Sequence, residues 1–557
     1  MPRLGDAAGD FLAKWSAVKS GDPAAAAEGS GSKSLPEMER KVDETLRSWK
    51  KGGPEVIVRK GVSVGYVKRE KPREPAKAVQ RMKPTTRIAA TSTPEPKAKF
   101  MSAPEPRPKA VRERLADSSA DFQRFRIAAA MSIARSKDVL SPVVENPAGK
   151  LAILGLDFGT AFTKGVVRWG GRHYAVDWSA AVNGDDHHLL ASAFSEGPDG
   201  HCVLGAIEAP NWSVHDGIKI KLLNHGSGLS DKERLADAVT FIALAFRYVS
   251  CWLASRKIAE STGVRWRLHV GLPTRSWDDD ATTDAFRVAA QAGRILALMS
   301  GPVTRLAAIE ALGMTDQVDR PAVDVLPEFA CQLYSYLRSA ERREDLHALV
   351  DVGAGTLDVA YFNVFKREGE GFLPVFASEV ECLGAHYLIA ALSGQEGEGV
   401  WNDGESSLSD EQVAEKVGCK PADIERRRSL YLSAVADVFN KATGEAMKTY
   451  PTSPAVQGRE RLRLFLCGGG SRIYSIRRRF ERIARESEGV FRMKIQVSEI
   501  VRPRDIIGGT DVGFDRLSVA YGLSQNAANI GHVMRSATLD PVLPNDRTKD
   551  RDRDDDR

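Results

Sequence analysis

Two acidic glycine turns hold the residues whose types and spacing are best suited to chemistry. Asp157 follows the apolar stretch 151–156 and opens the sequence DFGTAFTK, and Asp351 follows 346–350 and opens DVGAGTLD. Small residues in a tight turn let backbone N–H groups approach an anion closely, and a lysine such as Lys164 adds a point charge for a phosphate. An aspartate at a strand end suits Mg²⁺, which keeps several waters and takes few carboxylates. Each turn alone would also suit an ordinary hairpin, but the pair predicts a magnesium and phosphate site.

A third glycine turn follows an apolar stretch at 462–466. Gly468, Gly469 and Gly470 stand there before Ser471, where the pattern predicts that an amphipathic helix begins. A triglycine at a junction between strand and helix permits close contact with a flat ligand, or with a phosphate at the helix N-terminus. A flexible loop that leads into a helix is the alternative interpretation.

The elements around the first two turns follow one plan. In each case an apolar strand leads to the aspartate, small residues with a threonine follow, and a second strand leaves the turn, over 166–169 and 359–364. Two strand–turn–strand units of this kind in one chain predict a duplicated domain. Each half would then clamp one side of a phosphate chain.

The three turns, in this order, resemble a superfamily of nucleotide-binding ATPases that comprises the actins, the DnaK-type heat-shock chaperones and the sugar kinases. GLDFGTAFTKG is similar to the first phosphate loop of that superfamily, DVGAGTLD to the second, and LCGGGSRI to the adenosine loop. The segments 325–337 and 515–524 resemble its two connecting helices, and 267–279 and 217–223 resemble two segments of the chaperones.

The resemblance covers about residues 151–525 and is nearest to a DnaK-like nucleotide-binding domain of the heat-shock 70 family, without a C-terminal substrate-binding domain. It implies an α/β fold: a two-lobed actin-like ATPase fold of duplicated ribonuclease H-like halves, preceded by a basic N-terminal arm. It also implies ATP and Mg²⁺ as the ligands.

The resemblance further implies roles for single residues. Asp157 and Asp351 would hold the water shell of the magnesium ion. Glu328 and Asp358 would arrange the attacking water or the waters of the metal, and Arg472 would stack on the adenine base. The residues that would line the nucleotide are Gly159, Thr160, Ala161, Gly353, Ala354, Gly355 and Thr356 at the phosphates, and Gly468, Gly469 and Gly470 at the adenosine.

Two lysines compete for the phosphate. Lys164 occupies a position that is lysine in actins and sugar kinases, whereas Lys219 occupies the position of the chaperones' catalytic lysine, and Lys221 is a third neighbour. Both Lys164 and Lys219 therefore stand among the candidate catalytic residues, and the choice between them stays open. Each of the three would otherwise be a surface lysine, as is usual for this residue type.

Composition divides the chain into an arm and a body. Residues 1–146 are basic and Pro-rich with few aromatic residues, which predicts a disordered arm, and 109–137 within it has the pattern of a short amphipathic helix. The body is predicted to contain lobe one over 147–337 and lobe two over 338–525, followed by a charged disordered tail over 526–557. Because the arm lies outside all the motifs, its deletion up to residue 140 is expected to leave nucleotide binding intact.

Charge and cysteine patterns bear on partners and location. The positive charges of the arm alternate with glutamates and not with aromatic residues, so contact with nucleic acid is not favoured, and a protein partner of unknown identity is expected. Six scattered cysteines without a C-x-x-C pair argue against a disulfide scaffold or a zinc site and favour a reducing cytoplasm. The longest apolar run, 241–254, contains Arg247 and is too short for a membrane span, and no secretory signal is present. Cytoplasmic localisation is therefore expected.

These observations predict an ATP-binding, slowly hydrolysing, chaperone-like switch that regulates a protein partner. Phosphoryl transfer to water needs mostly positioning and charge neutralisation, and none of the candidate groups is a strong base near neutral pH, so slow hydrolysis is expected. The residues after 525 are too few for a β-sandwich of roughly 100 residues, so a complete chaperone is not expected. Three alternatives stay open: a filament-forming actin-like ATPase, for which Lys164 argues, a small-molecule kinase of the sugar-kinase type, and a pseudo-enzyme that binds nucleotide without cleaving it.

Overall fold

The computed structural model describes residues 132–534, with gaps at 185, 224–230, 260–262, 274–278, 316–321, 368–369, 394–408 and 511. The predicted arm up to residue 131, most of the helix predicted over 109–137, and the predicted tail from residue 535 lie outside the described residues.

The strands of the described part of the chain share two large sheets and two small ones. In chain order they are β1 (Ile133–Ala134), β2 (Lys150–Phe158), β3 (Phe162–Trp169), β4 (Arg172–Ala175), β5 (Val182–Asn183), β6 (Leu190–Ala191), β7 (Phe194–Glu196), β8 (Cys202–Leu204), β9 (Ser213–His215), β10 (Val264–Leu272), β11 (Val323–Pro327), β12 (His347–Val352), β13 (Leu357–Phe362), β14 (Phe365–Arg367), β15 (Glu370–Glu381), β16 (Arg461–Cys467), β17 (Lys494–Ser498), β18 (Ile506–Ile507) and β19 (His532–Met534).

The helices alternate with these strands and differ widely in length. They are α1 (Ile218–Leu223), α2 (Asp231–Ser255), α3 (Asp280–Leu298), α4 (Arg305–Leu312), α5 (Glu328–Gln332), α6 (Tyr334–Leu337), α7 (Ala385–Ser393), α8 (Asp410–Val417), α9 (Pro421–Thr449), α10 (Tyr474–Phe491) and α11 (Phe514–Leu523), with 3₁₀ turns at Gly469–Arg472 and Ala527–Asn529.

The first large sheet combines an antiparallel meander with two parallel strands. β2, β3 and β4 form the meander, β10 runs parallel to β2 on its other side, and β11 runs parallel to β10. The order across these strands is β4–β3–β2–β10–β11. β2 is buried along almost its whole length, as is typical of a strand that is covered on both faces.

The second large sheet repeats the same order. β12, β13 and β15 form an antiparallel meander, β16 runs parallel to β12, and β17 runs parallel to β16. The resulting order β15–β13–β12–β16–β17 matches the first sheet strand for strand. This duplicated ribonuclease H-like topology confirms the predicted fold class, a two-lobed α/β fold of the actin-like ATPase type.

Three hydrophobic cores stabilise the described part of the chain. One lies in the first half and includes α2 and α3, and a second lies in the second half and includes α9 and α10. The third combines residues of both sheets with the short helix α5 and with α11, for example Val166 of β3, Phe362 of β13, Phe329 of α5 and Leu517 of α11. The helices that were predicted to connect the lobes thus supply the apolar contact between them.

Three boundaries differ from those predicted. Residues 132–146, which were assigned to the arm, are hydrogen-bonded into the first half, and Ile133–Ala134 is a strand rather than the end of a helix. β18 pairs with β4, and α11 packs on β2 and β3, so the chain returns to the first half after building the second. Residues 526–534, which were assigned to the tail, include a 3₁₀ turn and the strand β19, which pairs with β15.

Helix α2 is apolar because it forms the centre of the first core. It is the one helix of the described residues that is long and apolar enough to cross a membrane, and 83% of its most apolar window is buried inside the protein. Arg247 in this helix is fully buried, and its guanidinium donates hydrogen bonds to backbone carbonyls at the end of α3, among them Ala297 O at 3.1 Å. It also donates to Leu140 O at 3.0 Å, which ties the segment 132–146 to the core.

Candidate functional site

The first glycine turn joins β2 to β3. Asp157 near the end of β2 is buried and lies opposite Lys164 of β3, whose Nζ is 2.9 Å from Asp157 Oδ2. The Gly159 N–H donates to Asp157 O at 3.0 Å, which tightens the turn. The hydroxyl of Ser192 donates to Gly159 O at 2.7 Å and supports the turn from the side. The turn therefore carries an ion pair and is fixed by a neighbouring loop.

The second glycine turn joins β12 to β13 and closes on itself. The Gly353 N–H donates to Thr356 O at 2.9 Å, and the Thr356 hydroxyl donates to Asp358 Oδ2 at 3.2 Å. The start of α7 covers the turn, because three successive backbone N–H groups of residues 384–386 donate to carbonyls of residues 353–355. A tight hydrogen-bonded loop of small residues results.

The two turns are equivalent in register. Asp157 pairs across the ladder with Lys164, and Asp351 pairs across its ladder with Asp358. The same position of the duplicated unit therefore holds a cation in the first half and a carboxylate in the second.

The turns also meet. A side chain at Gly355 would place its Cβ 3.3 Å from Thr160 Cγ2, so the backbone of the second turn lies against the first. Ala161 of the first turn is buried and packs in a small cluster with Ala191, and Ala354 of the second turn contacts the same cluster. The residues predicted to line the phosphates thus come together between the two sheets.

Lys219 and Glu328 complete the cluster from two further elements. α1 carries Lys219, which is buried, and α5 begins at Glu328 directly after β11. Lys219 Nζ donates to Glu328 Oε1 at 2.6 Å. Lys221, two residues further along α1, is 3.9 Å from Asp237 instead. Lys164 and Lys219 therefore both belong to the cluster, and Lys221 does not.

Burial and crowding of carboxylates shape the electrostatics of the site. Burial raises the pKa of Asp358 to about 8, and the carboxylates of Asp351 and Glu328 act in the same direction. Burial also raises the pKa of Asp351, against the stabilising hydrogen bond from Gln332 and the charge of Lys164. A carboxylate whose pKa is raised accepts a proton more readily than an ordinary carboxylate does.

Burial likewise raises the pKa of Glu328, against the charge of Lys219. Burial alone would lower the pKa of Lys219, but the charges of Glu328 and Asp157 outweigh it and raise that pKa. Lys219 is therefore held as an ammonium ion among carboxylates.

The cluster is suited to a cation that is held through water. Four carboxyl groups, those of Asp157, Asp351, Asp358 and Glu328, lie in one cluster with the two ammonium groups of Lys164 and Lys219. Asp358 Oδ1 is buried and has no hydrogen-bond partner in the described part of the chain. Within that part, no three His, Cys, Asp or Glu side chains form a group that could hold a metal ion directly. Magnesium fits such a site because it keeps most of its waters.

The third glycine turn lies against the second. Gly468 has a φ of 79°, and a side chain there would overlap Asp351 Oδ1 and the backbone of Val352. Only glycine allows the turn to approach the aspartate so closely. Gly470 packs on Val352 in the same way. Gly468 and Gly470 are therefore required for the close contact between β12 and the turn after β16.

Arg472 is paired with a carboxylate of α11. Its guanidinium donates to both carboxylate oxygens of Asp515 in α11, each at 3.2 Å. Arg516 approaches the third turn instead, with its Nη2 3.2 Å from the position that a Cβ of Gly469 would take, while its Nη1 is 3.6 Å from Asp186 Oδ2. The stacking on the adenine base that the resemblance implies for Arg472 stays a prediction, and Arg516 is a residue at this turn that the motif did not include.

Sequence reasoning missed three further residues that fix the turns. Gln332 of α5 donates to Asp351 Oδ2 at 2.7 Å. Ser192 bonds the first turn, and the buried Tyr431 of α9 donates to Leu383 O at 2.7 Å, next to the N–H groups that cover the second turn. All three come from distant parts of the chain, and no local pattern identifies them.

Comparisons with known proteins find similarity among solved structures. No protein-family model matches the chain, and no curated protein matches it. Among solved structures, the crystal structure of MreB5 of Spiroplasma citri bound to ADP aligns over 67% of this chain and 94% of its own chain, with 11% sequence identity and a TM-score of 0.36. The duplicated strand order, and not this similarity, defines the fold. The finer resemblance to DnaK-type chaperones stays a prediction.

Proposed function

We propose that this chain binds ATP with Mg²⁺ between its two halves and hydrolyses it slowly, so that the bound nucleotide sets the arrangement of the halves. The observation that carries the proposal is the meeting of two register-equivalent acidic glycine turns. Asp157 and Asp351 act on one another electrostatically within one buried cluster, and Gly355 lies against Thr160. Backbone N–H groups in such turns bind phosphate oxygens.

Each group in the cluster has a part in this proposal. Asp157 and Asp351 hold the magnesium waters, and bound magnesium supplies positive charge beside the phosphates. Lys219 and Lys164 neutralise phosphate oxygens; the Lys219 ammonium group lies 2.6 Å from Glu328 and that of Lys164 lies 2.9 Å from Asp157. Glu328 and Asp358 orient the attacking water, and Asp358 accepts a proton in its ionised fraction. Positioning and charge neutralisation are the main demands of phosphoryl transfer.

Binding of magnesium and nucleotide is the first test. Isothermal titration with ATP should show binding that weakens about tenfold or more when EDTA removes the metal, a change of about 1.4 kcal/mol. Asp157→Asn and Asp351→Ala should each bind as weakly with magnesium as the wild type does without it. Glu445→Gln, which removes an exposed carboxylate paired with Lys448 on α9, is the charge control and should bind as the wild type does. Wild-type affinity in both cluster variants would refute the assignment of the metal residues.

Measurements of ATP turnover distinguish an ATPase from a kinase and from a pseudo-enzyme. Phosphate release from ATP without an acceptor supports the ATPase, whereas turnover only with a sugar would favour the kinase. Binding without any phosphate release would indicate a pseudo-enzyme. Replacing Lys219 and Lys164 by glutamine, one at a time, compares the two lysines: the one that serves the phosphate should lose the larger factor in hydrolysis rate.

A filament-forming actin-like ATPase is the second candidate. The observation that favours it is Lys164, which occupies the position of the actin lysine in the resemblance and whose ammonium group lies 2.9 Å from Asp157 in the site. Lys219, which occupies the position of the chaperones' lysine, lies in the site as well. The lysines therefore do not favour the chaperone-like switch over the filament. Sedimentation of the full chain with ATP, with ADP and without nucleotide distinguishes the two. Pelleting that depends on ATP supports the filament, and a protein that stays in the supernatant while it hydrolyses ATP supports the switch.

A further inference from the structure

Residues 132–146, here called the strap, bind along the first half. Ile133–Ala134 pairs antiparallel with Val182–Asn183, which makes β1 and β5 a two-stranded sheet. Further along, the Val143 N–H donates to Ala297 O at 2.9 Å and the Asn146 N–H donates to Val264 O at 2.8 Å. The strap is therefore fixed at both ends.

Ser132 is the first described residue of the strap and is almost completely buried, with 1% of its surface exposed. Its hydroxyl accepts the N–H of Ala191 at 3.0 Å, and its carbonyl accepts the N–H of Ala206 at 2.9 Å. A buried serine with both groups hydrogen-bonded to loops of the body is a specific anchor, because an exposed linker would leave them to water.

Ser192, the residue after Ala191, is hydrogen-bonded to the first glycine turn. Ala191 pairs with Phe162 at the start of β3. The Ser192 N–H donates to Ala161 O at 2.8 Å, and its hydroxyl donates to Gly159 O at 2.7 Å. Ser132 is thus linked to the backbone of the turn through residues 191 and 192 alone.

We propose that the strap is coupled to the nucleotide site: the seating of Ser132 and the affinity of the first glycine turn for phosphate depend on each other. The inference rests on the proposed function, since it concerns the regulation of that site. By linkage, displacement of Ser132 weakens nucleotide binding, and bound nucleotide holds Ser132 in place by the same free energy. Deletion up to residue 140 would remove Ser132 and β1, so it is no longer expected to leave binding intact.

Hydrogen exchange on the full chain tests this reciprocity. MgADP should slow amide exchange by about threefold or more in peptides that cover 132–135 and 190–192, because the amide of Ala191 is protected by Ser132. The far end of the strap, 143–146, bonds to α3 and β10 and should not change, which makes it an internal control. Slowing in the turn at 157–164 with no change at 132–135 and 190–192 would overturn the inference and leave the proposed function intact. Absence of any nucleotide binding would overturn both.

Single-residue variants of the full chain supply a second measure. Ser132→Ala should weaken MgATP binding by about three- to tenfold, the range expected for one lost hydrogen bond to a buried N–H group. Ser136→Ala is the matched control: this serine is in the same strap but bonds only the exposed Asp138 N–H at 2.9 Å, and its variant should bind as the wild type does.

The path through Ser192 is tested by a double-mutant cycle. Ser132→Ala combined with Ser192→Ala should bind no more weakly than the weaker single variant, because both act through the same contact with the turn. Losses that multiply would show that the two serines act separately and would overturn the proposed path. Wild-type affinity in Ser132→Ala would overturn the coupling itself.

Discussion

At the scale of single residues, the main finding is an asymmetry between two equivalent positions. Lys164 and Asp358 lie opposite the two strand-end aspartates in the same register. The first turn therefore contains its own counterion, whereas the second places two carboxylates together and raises their pKa values by burial and repulsion. The second half is thus the part of the site that gains most from an external cation.

A buried histidine near the start of the second sheet gives a prediction on acid stability. His347 donates from Nδ1 to Asp345 O at 2.6 Å and accepts at Nε2 from the hydroxyl of Tyr336 at 2.7 Å. Burial lowers the pKa of His347 to about 4, and the charges of Arg463 and Arg343 add to the effect. Between pH 6.5 and 4 the unfolded chain binds a proton that the folded chain does not, so the free energy of unfolding falls as the pH falls.

The expected loss from His347 alone is about 2 kcal/mol at pH 5 relative to pH 7. Urea unfolding at both pH values measures it: His347→Gln should lose less stability between them than the wild type by about this amount. His173, whose pKa burial also lowers to about 4, is present in both proteins and cancels in the comparison. An equal loss in both proteins would contradict the prediction.

At the scale of elements, the second turn depends on helices that lie far away in sequence. The start of α7 covers the turn with three N–H groups, and Tyr431 of α9 holds the backbone before α7 through Leu383 O and Gly384 O. α9 therefore helps to position the second glycine turn through the residues that precede α7.

Removal of the Tyr431 hydroxyl group should weaken nucleotide binding. Tyr431→Phe keeps the ring, so the core stays filled, and nucleotide affinity should fall about three- to tenfold because the cover of the second turn loosens. Tyr361→Phe is the control, since this equally buried tyrosine bonds Thr443 of the same helix α9 at 2.6 Å instead of residues 383–384. Both variants should lose about 1 kcal/mol of stability, but only Tyr431→Phe should lose affinity in isothermal titration. A loss of affinity in neither variant, or the same loss in both, would contradict this role of α9.

At the scale of the whole molecule, α5 and α11 pack closely against each other in the core to which both halves contribute. A Cβ at Gly522 of α11 would overlap the carbonyl oxygen of Cys331 in α5, and a Cβ at Gly155 of β2 would overlap Ala520 O. These two glycines let helix and strand backbones approach each other. The contact lies in the third core, to which both sheets contribute.

Gly522→Ala should therefore destabilise the protein by about 2 kcal/mol or more, because the helices must separate and the third core must open. Gly444→Ala is the matched control within α9: nothing lies within 4 Å of its Cβ position. An alanine there should stabilise the protein by about 0.5–1 kcal/mol through helix propensity. In thermal unfolding, Gly522→Ala should lower the melting temperature and Gly444→Ala should raise it. A lower melting temperature in both variants would indicate helix distortion instead of loss of the contact between α5 and α11.

The sequence by itself determined the local parts of this protein. Asp157 and Asp351, their glycine turns and the apolar strands beside them are defined by neighbouring residues, and short apolar runs and small turn residues are readable within a short window. The repetition of one motif was enough to predict duplicated halves, and the strand order confirmed that prediction.

Only the tertiary structure decided which distant groups join the turns. Gln332, Ser192 and Tyr431 reach the site by single hydrogen bonds across long stretches of chain, and such contacts leave no periodic trace in sequence. The same holds for the boundaries: residues 132–146 have the composition of a linker, yet the buried hydroxyl of Ser132 and the carbonyls that Arg247 binds fix them to the first half. Composition indicates how much free energy the burial of a segment costs on average. The tertiary structure provides the specific hydrogen-bond partners that offset this cost.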